Sequence, residues 1–188
     1  MSTSSANAGP SAGPPMKAGG QVLVREPVAS DADELAEVHV RTWEETYAEL
    51  LPAGFFDDVH RRRRRDMWHH LLGEGARHDL VVRVAVLVDA IIGFGMTGPS
   101  EPRDDGPPGI TRQLYMLYVL EEHHGRGVGQ RLLDAVAGTD AMTLWVAKEN
   151  PRAIAFYRRN GFVLDGTEKS DPGAPAITDA RMVRPARA

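Results

Sequence analysis

The sequence predicts a single domain of the α+β, or mixed α/β, class, in which helices pack on one sheet. Segments of strand and helix character follow one another without an internal repeat, in the order strand, two helices, three strands, helix, strand, helix, two strands. The length of 188 residues also suits one domain, because a chain of this size can bury a real core without disulfides.

The chain begins with a segment that differs in composition from the rest. Residues 1–20, "MSTSSANAGPSAGPPMKAGG", are rich in small residues and proline and contain one lysine. Such a segment buries too little apolar surface to offset the entropy lost on ordering, so we expect a disordered tail. It lacks the apolar run of a secretory signal. The folded domain is therefore expected to cover residues 21–188.

The first half of the domain predicts one strand and two helices. "QVLVREP" alternates in polarity and stops at Pro27, which is typical of an edge strand. Ser30 or Asp31 can cap a helix whose apolar residues recur at helical spacing as far as Trp43. A second helix is expected after Pro52. Its candidate apolar face is Phe55, Phe56, Val59, Met67, Trp68, Leu71 and Leu72.

Three strands follow in the middle of the chain. "DLVVRVAVLVDAIIGFGMTG" predicts a hairpin that turns near Asp89 and Ala90. Residues 98–111 are rich in Gly, Pro and acidic side chains and predict a loop, whose length suggests a mobile surface element or a lid. "QLYMLYVL", residues 113–120, predicts the third of these strands.

The last part of the chain alternates helix and strand. A helix with one apolar face begins near Val128 and is expected to stop at Gly138, and "AMTLWVA" then predicts a strand. Asn150 is a good helix cap, and Pro151 at the first helical position loses no useful donor. That helix should end at Asn160 and Gly161, after which "FVLDG" and "AITDARMVRP" predict the closing strands.

Three glycines stand where a strand passes into a helix, in "EEHHGRGVGQRLLDAV", residues 121–136. The first turn of a helix leaves its amides unpaired and carries partial positive charge, so it can bind phosphate. Glycine lets the backbone approach a ligand closely. Neither nucleotide motif fits, because Gln130 and Arg131 replace the Lys and Ser/Thr of a P-loop, and Leu132 replaces a small residue of the dinucleotide fingerprint. From the spacing of the glycines alone, a tight strand-to-helix turn that binds no ligand remains an alternative.

Two segments resemble the motifs of the GNAT (N-acetyltransferase) superfamily. "HGRGVG" after a strand resembles its Gln/Arg-x-x-Gly-x-Gly/Ala pattern, with His124 in the place of Gln or Arg. "NPRAIAFYRRNGF" resembles its Asn-x-x-Ala-x-x-Phe-Tyr-x-x-x-Gly-Phe pattern, and the resemblance extends over residues 22–184. It implies the GNAT fold, a mixed, mostly antiparallel twisted sheet of about six or seven strands and about four helices, splayed between the fourth and fifth strands.

The resemblance implies acetyl-CoA as cosubstrate, held by backbone groups of the central strand and the glycine segment. The residues that it assigns to this role are Leu117, Tyr118, Val119, His124, Gly125, Arg126, Gly127, Val128, Gly129, Gln130 and Asn150. It implies that Tyr157 is the general acid for the departing CoA thiolate. The alternatives are that Tyr157 is a core aromatic residue and that Asn150 is only a helix cap.

"RTWEETYAELLP" resembles a Thr-Trp-x-x-Thr-Tyr-x-x-Leu-Leu-Pro segment of small-molecule acetyltransferases that walls the acceptor pocket. Candidate acceptor-binding residues are therefore Trp43, Glu44, Tyr47 and, from the central strand, Tyr115. Trp43 and Tyr47 share a helix face, and aromatic rings beside a carboxylate can hold a cationic amine. Packing of the two aromatic residues onto the sheet is an equal alternative.

The sequence does not identify a single residue as the general base. The family often has a Glu in the central strand, and the corresponding residue here is Gln113, which cannot accept a proton. The alternatives are a relay of waters or one of the side chains of Glu44, Glu45, Tyr115, His123 and His124.

The composition of the chain limits the kinds of binding partner that are expected. The chain has 22 basic and 26 acidic residues and no cysteine, so a nucleic-acid or membrane partner is not favoured and a cytoplasmic location is expected. The arginines of "HRRRRRD" point all around a helix, which favours a solvated face over a nucleic-acid site. The adjacent histidine pairs lack zinc spacing, so no metal is expected.

These observations give one hypothesis and one alternative. The hypothesis is an acetyl-CoA-dependent N-acetyltransferase that acts on a primary amine, favoured to be a small molecule, by direct attack in a ternary complex. The alternative is a non-catalytic acyl-CoA-binding sensor or recruitment module. Tyr157 favours catalysis and Gln113 keeps the alternative open. Because dimers are common in the family, the resemblance also allows a homodimer.

Overall fold

The computed structural model describes residues 20–73, 75–100, 106–171 and 173–186. The predicted tail lies outside this range except for Gly20, and residues 101–105 of the predicted loop lie outside it as well. Over the described residues, seven strands form one sheet. They are β1 (Leu23–Arg25), β2 (Val81–Leu87), β3 (Ala90–Pro99), β4 (Arg112–Val119), β5 (Met142–Ala147), β6 (Val163–Ser170) and β7 (Thr178–Arg184).

The sheet order is β1-β2-β3-β4-β5-β7-β6, and every neighbouring pair is antiparallel except β4 and β5. The α-helices are α1 (Ala32–Tyr47), α2 (Asp58–Leu72), α3 (Val128–Ala137) and α4 (Pro151–Arg159). The predicted class and element order are confirmed. In the described part of the chain, no helix has both the length and the apolar character needed to cross a bilayer.

The parallel pair β4 and β5 is short. Its ladder consists of Gln113 opposite Thr143 and Leu114 opposite Leu144. Beyond Leu114 the two strands separate, whereas β4 stays paired with β3 as far as Val119. The splay between the fourth and fifth strands is therefore confirmed, and it opens a cleft in the middle of the sheet.

The start of α2 differs from the sequence-based expectation. The Asp57 carboxylate accepts a hydrogen bond from the His60 amide at 2.8 Å, so the helix begins at Asp58 and not directly after Pro52. Phe55 and Phe56, which we assigned to its apolar face, lie in the preceding loop, and this assignment was wrong. Both rings pack instead on the cluster formed by Leu51, Ala147, Ala174 and Ile177.

The arginine run of α2 is largely engaged by α1. Arg61 pairs with Glu44 and lies 3.6 Å from a Glu37 carboxylate oxygen, while Arg65 lies 3.2 Å from Asp33. Arg62 faces solvent. Exposed pairs of this kind contribute little each, about 0–1 kcal/mol. The run therefore joins two helices in part, and is not simply a solvated face.

The turn between β2 and β3 is formed by Val88 and Asp89, with φ values of 48° and 65°. It lies one residue earlier than predicted, because a two-residue hairpin turn of this kind places both central residues at positive φ.

The central strands of the sheet are covered on both faces, whereas β6 is mostly exposed. On one face, α3 and α4 pack over a core that includes Leu133, Tyr157 and Phe162. On the other, α1 and α2 pack over a core that includes Trp68 and Phe94. Helices thus cover β4 on both faces, while the edge of β4 beyond Leu114 that faces β5 stays open.

Candidate functional site

A cleft of about 840 Å³ opens where β4 and β5 separate. Its walls come from the end of α1, β4, the glycine segment, β5, the start of α4 and the turn between β6 and β7. Most residues proposed from the sequence meet here. Those that line the cleft are Trp43, Tyr47, Tyr115, Leu117, Tyr118, Val119, His124, Gly125, Gly127, Val128, Gly129, Gln130, Asn150 and Tyr157.

The backbone of β4 presents polar groups to this cleft. The Leu120 amide donates to the Ile92 carbonyl of β3 at 3.0 Å. Because antiparallel strands turn alternate peptide groups toward each other, the groups of Leu117 and Val119 face the opposite side, toward β5. The β5 ladder has already ended at Leu114, so these groups border the cleft.

The glycine segment forms a bend at the start of α3. Gly125 and Gly127 take φ values of 73° and 78°, and a side chain at either would meet no described atom within 4 Å. Gly127 is the N-cap of α3, and within the described part of the chain no side chain caps this helix. The amides of the first helical turn therefore point into the cleft without an intrahelical acceptor, a donor set that fits a diphosphate.

His124 ties this bend to its surroundings. Its Nε2 lies 2.7 Å from the Val119 carbonyl oxygen, and its Nδ1 contacts the Arg152 guanidinium. Burial lowers the pKa of His124, and Arg152 lowers it further against the raising effect of the Val119 carbonyl. A neutral ring that donates from Nε2 and accepts at Nδ1 from Arg152 satisfies both contacts. The imidazole thus connects the end of β4 to the start of α4.

The first turn of α4 completes this side of the cleft. The Asn150 Oδ1 accepts from the Ala153 amide at 2.9 Å, with Pro151 at the first helical position, so the predicted cap is confirmed. Gln130 uses its side chain to reach Asn160 Oδ1 at 2.9 Å. The side-chain nitrogen of Gln130, which also donates to Asp134 at 2.8 Å, is thereby engaged within the protein.

Tyr157 both packs in the core and borders the cleft. It is 8% exposed, and its ring contacts Phe156 and Phe162 at centroid distances of 5.4 and 5.7 Å. Burial raises the pKa of Tyr157, and the neighbouring Tyr47 adds to the rise. The hydroxyl therefore keeps its proton at neutral pH. The two interpretations of Tyr157, core aromatic and proton donor, are compatible in this position.

The opposite wall is aromatic. The rings of Trp43 and Tyr47 meet edge to face at 5.3 Å, as expected for residues one helical turn apart. Burial raises the pKa of Tyr47, partly offset by its hydrogen bond to the Asn150 side chain. The Tyr115 hydroxyl donates to the Pro99 carbonyl oxygen, so it is already committed to a backbone acceptor.

Several candidate residues lie elsewhere. Glu44 does not line the cleft: the helix turns by about 100° per residue, so Glu44 faces α2 and pairs with Arg61. Arg126 is exposed and also lies outside the cleft lining. Gln113 is buried in the paired half of β4 and does not line the cleft either.

Glu45 does border the cleft, but its carboxylate is occupied. It accepts from Arg41 Nε at 3.0 Å and from the Glu121 amide at 2.8 Å. These bonds tie α1 to the segment after β4, which makes Glu45 a structural residue in this conformation.

Comparison with known proteins identifies the family. An acetyltransferase (GNAT) domain model matches residues 77–164. An uncharacterised N-acetyltransferase of Bacillus subtilis is 32% identical over 146 residues, which are 73% of this chain and 78% of that protein. The chain belongs to the GNAT acetyltransferase family. A second relative of this GNAT enzyme, an uncharacterised N-acetyltransferase of Mycobacterium tuberculosis, is 30% identical over 82% of this chain and 97% of its own.

Solved structures share the fold of this GNAT enzyme. The PaiA N-acetyltransferase of Thermoplasma acidophilum in complex with coenzyme A has a TM-score of 0.65 at 19% identity, over 88% of this chain and 99% of its own. An acetyltransferase of Corynebacterium glutamicum has a TM-score of 0.63 at 22% identity, over 91% of this chain and 98% of its own. Family membership and the bend that fits a diphosphate support an acyl-CoA cosubstrate.

The structure adds residues to the GNAT cleft that sequence reasoning missed. They are Arg152 and Arg159 of α4, Trp145 of β5, and the charged residues Lys169, Asp171 and Asp179 around the turn between β6 and β7. Burial, with a further contribution from Asp171, raises the pKa of Asp179 to about 6. In the sequence, Arg152 and Arg159 occupy variable positions of the NPRAIAFYRRNGF motif, and the others belong to strand and turn segments without a motif. Among the described residues, no group of three or more His, Cys, Asp or Glu side chains is placed to hold a metal ion.

Proposed function

We propose that this GNAT enzyme transfers an acetyl group from acetyl-CoA to a primary amine of a small molecule, by direct attack while both are bound. One observation carries the proposal. A single cleft joins the uncapped amides of α3 to the aromatic wall of Trp43 and Tyr47, with Tyr157 on its lining. A cosubstrate and an acceptor can therefore meet in one cavity, which supplies much of the rate by proximity.

The cosubstrate side is assigned to backbone groups. The amides of residues 125–130 would hold the diphosphate, and the Leu117 peptide groups together with the Val119 amide would hold the pantetheine arm, because the Val119 carbonyl is taken by His124. Tyr118 lines the same stretch of β4, and Asn150 stands across from it at the start of α4. Arg126, exposed on the bend, would add charge from outside the cleft. Bound there, acetyl-CoA supplies an activated thioester.

The acceptor side is assigned to the α1 wall. Trp43, Tyr47 and Tyr115 offer ring faces and edges suited to an organic cation. The small-molecule assignment rests on the resemblance of residues 41–52 to a segment that walls such pockets. In the structure, Leu51 of this segment packs beneath the wall together with Ile177.

Tyr157 is assigned the role of general acid. Its hydroxyl borders the cleft and stays protonated at neutral pH, so it can deliver a proton to the departing thiolate. We also infer that residues 21–188 form one domain. The single hydrogen-bonded sheet from β1 to β7 supports this.

Thiol release from acetyl-CoA tests the proposal. Purified full-length protein would be incubated with acetyl-CoA and a panel of small primary amines, polyamines, amino acids and a lysine peptide, with acetylated product confirmed by mass spectrometry. We expect amine-dependent thiol release with at least one small amine. Tight coenzyme A binding without thiol release for any amine would favour the sensor alternative, and preference for the peptide would refute the small-molecule assignment.

A further inference from the structure

Asp179 stands at the start of β7 on the acceptor side of the cleft. It is the register partner of Ala147 on β5 and of Lys169 on β6, and side chains of directly opposed residues project to the same face of a sheet. Ala147 packs with Leu51 and Ile177 under the Trp43 and Tyr47 wall. Asp179 therefore faces the aromatic wall, and it lines the cleft itself.

The charged groups around Asp179 differ in their availability. Asp171 uses one carboxylate oxygen to accept from the Gly173 and Ala174 amides, both at 2.7 Å, so it is part of the turn before β7. The Lys169 ammonium lies over the Trp145 ring, 3.9 Å from its centroid. Glu149 is exposed at the rim. Asp179 is thus a half-buried carboxylate of this wall that is not part of the turn.

Asp179, Tyr47 and Tyr157 line the same cleft. The Tyr47 ring lies on the same wall as Trp43. A carboxylate and a phenol are thus both present in the cavity in which the amine and the thioester would meet.

We propose that Asp179 is the general base, which accepts the proton released by the acceptor amine as its nitrogen attacks the thioester carbonyl. This rests on the proposed function. The carbon–nitrogen bond forms and the carbon–sulfur bond breaks. The proton on nitrogen passes to the Asp179 carboxylate, and the sulfur takes a proton from Tyr157. The products are the amide and free coenzyme A, and solvent restores both side chains.

The environment of Asp179 suits this role. Its pKa of about 6 leaves it ionised at neutral pH, yet makes it a stronger base than an ordinary exposed carboxylate. Burial is the main cause, Asp171 and Glu149 add to the rise, and Lys169 opposes it. The ionised form beside the Trp43 and Tyr47 rings would also attract acceptors that arrive as cationic amines, which release one proton to solvent before the neutral nitrogen attacks.

The pH dependence of an Asp179→Asn variant tests the assignment. With the best amine found for the wild type, we expect kcat/KM to fall about 100-fold, while the Kd for coenzyme A stays unchanged. The wild-type profile should lose activity below about pH 6, and the variant should lack this limb. The matched control is Glu168→Gln on β6, which removes a carboxylate outside the cleft that pairs with Lys148, and it should behave as wild type.

Two further outcomes keep the test decisive. An Asp179→Glu variant retains a carboxylate, so partial recovery of the rate together with the acidic limb would support the base role. An Asp179→Asn variant within threefold of the wild-type rate, or one altered only in the KM for the amine, would overturn it. If the wild type acetylates no amine at all, it is the proposed function that fails.

Discussion

A methyl group at Gly129 should separate folding from coenzyme binding. Gly129 lies in the first turn of α3 and lines the cleft, and a Cβ there would meet only the Phe156 ring, at 3.8 Å. That distance is an ordinary contact, so the fold has room for Gly129→Ala. Replacing Gly by Ala in a helix stabilises it by up to about 1 kcal/mol, which would raise Tm by about 2–4 °C in a chain of this length.

Binding should respond in the opposite direction. The methyl group would stand between the diphosphate and the amides that we assign to it. A hydrogen bond to a charged group contributes about 1.5–3 kcal/mol, so losing one should weaken coenzyme A binding by about 10- to 100-fold. Differential scanning fluorimetry would measure Tm, and isothermal titration calorimetry would measure Kd.

Two other glycines provide controls. Gly166 has a φ of 90° in open space far from the bend, so Gly166→Ala should lower Tm through backbone strain without changing Kd. Gly127 has a φ of 78° within the bend, so Gly127→Ala should lower Tm and weaken binding together. Wild-type affinity in Gly129→Ala would refute the assignment of these amides to the diphosphate and leave the glycines with a role in the turn alone.

Three other outcomes follow from the structure. Tyr157→Phe should reduce kcat at least about 100-fold with an unchanged Kd for coenzyme A, since only a proton donor is lost; an unchanged kcat contradicts this. His39 is 2% exposed, and burial lowers its pKa well below 6.5. In urea titrations, the contribution of the neutral His39 to the free energy of unfolding should therefore be fully present above pH 6.5 and fall by up to about 1.4 kcal/mol per pH unit below it. His39→Phe should remove this dependence. Buried Arg184 donates to the carbonyls of Ala137, Gly138 and Asp140. Arg184→Met should therefore lower the free energy of unfolding by about 3 kcal/mol and Tm by about 6–12 °C. An unchanged Tm would show that these carbonyls need no partner.

Local signals in the sequence predicted the framework of the site. Asn150 followed by Pro151 specified a cap that depends only on neighbours three residues away, and the structure contains it. Gly125 and Gly127 specified a bend, because few other residues adopt their φ values without strain. Helix spacing placed Trp43 and Tyr47 on one face. Each of these features is decided within one helical turn of the residue concerned.

Other predictions failed because they depended on which neighbouring element a side chain faces. Glu44 and Glu45 were both candidates for the general base, and Glu44 also for acceptor binding, but Glu44 faces Arg61 of α2 and Glu45 binds the Glu121 amide. Phe55 precedes α2 because Asp57 caps the helix, which therefore begins at Asp58 and not directly after Pro52. The choice between such neighbours depends on which element packs opposite, and that information is not local.

The sequence by itself determined the order of the elements, the glycine bend at the start of α3 and the cap of α4, because backbone conformation and capping are settled by residues within a few positions of one another. Only the tertiary structure decided that β4 and β5 part beyond Leu114, and that Asp179 of the last strand lines the same cleft as Tyr47 of the first helix. A cleft is formed by residues distant in sequence, and its electrostatics depend on burial that no single segment can provide.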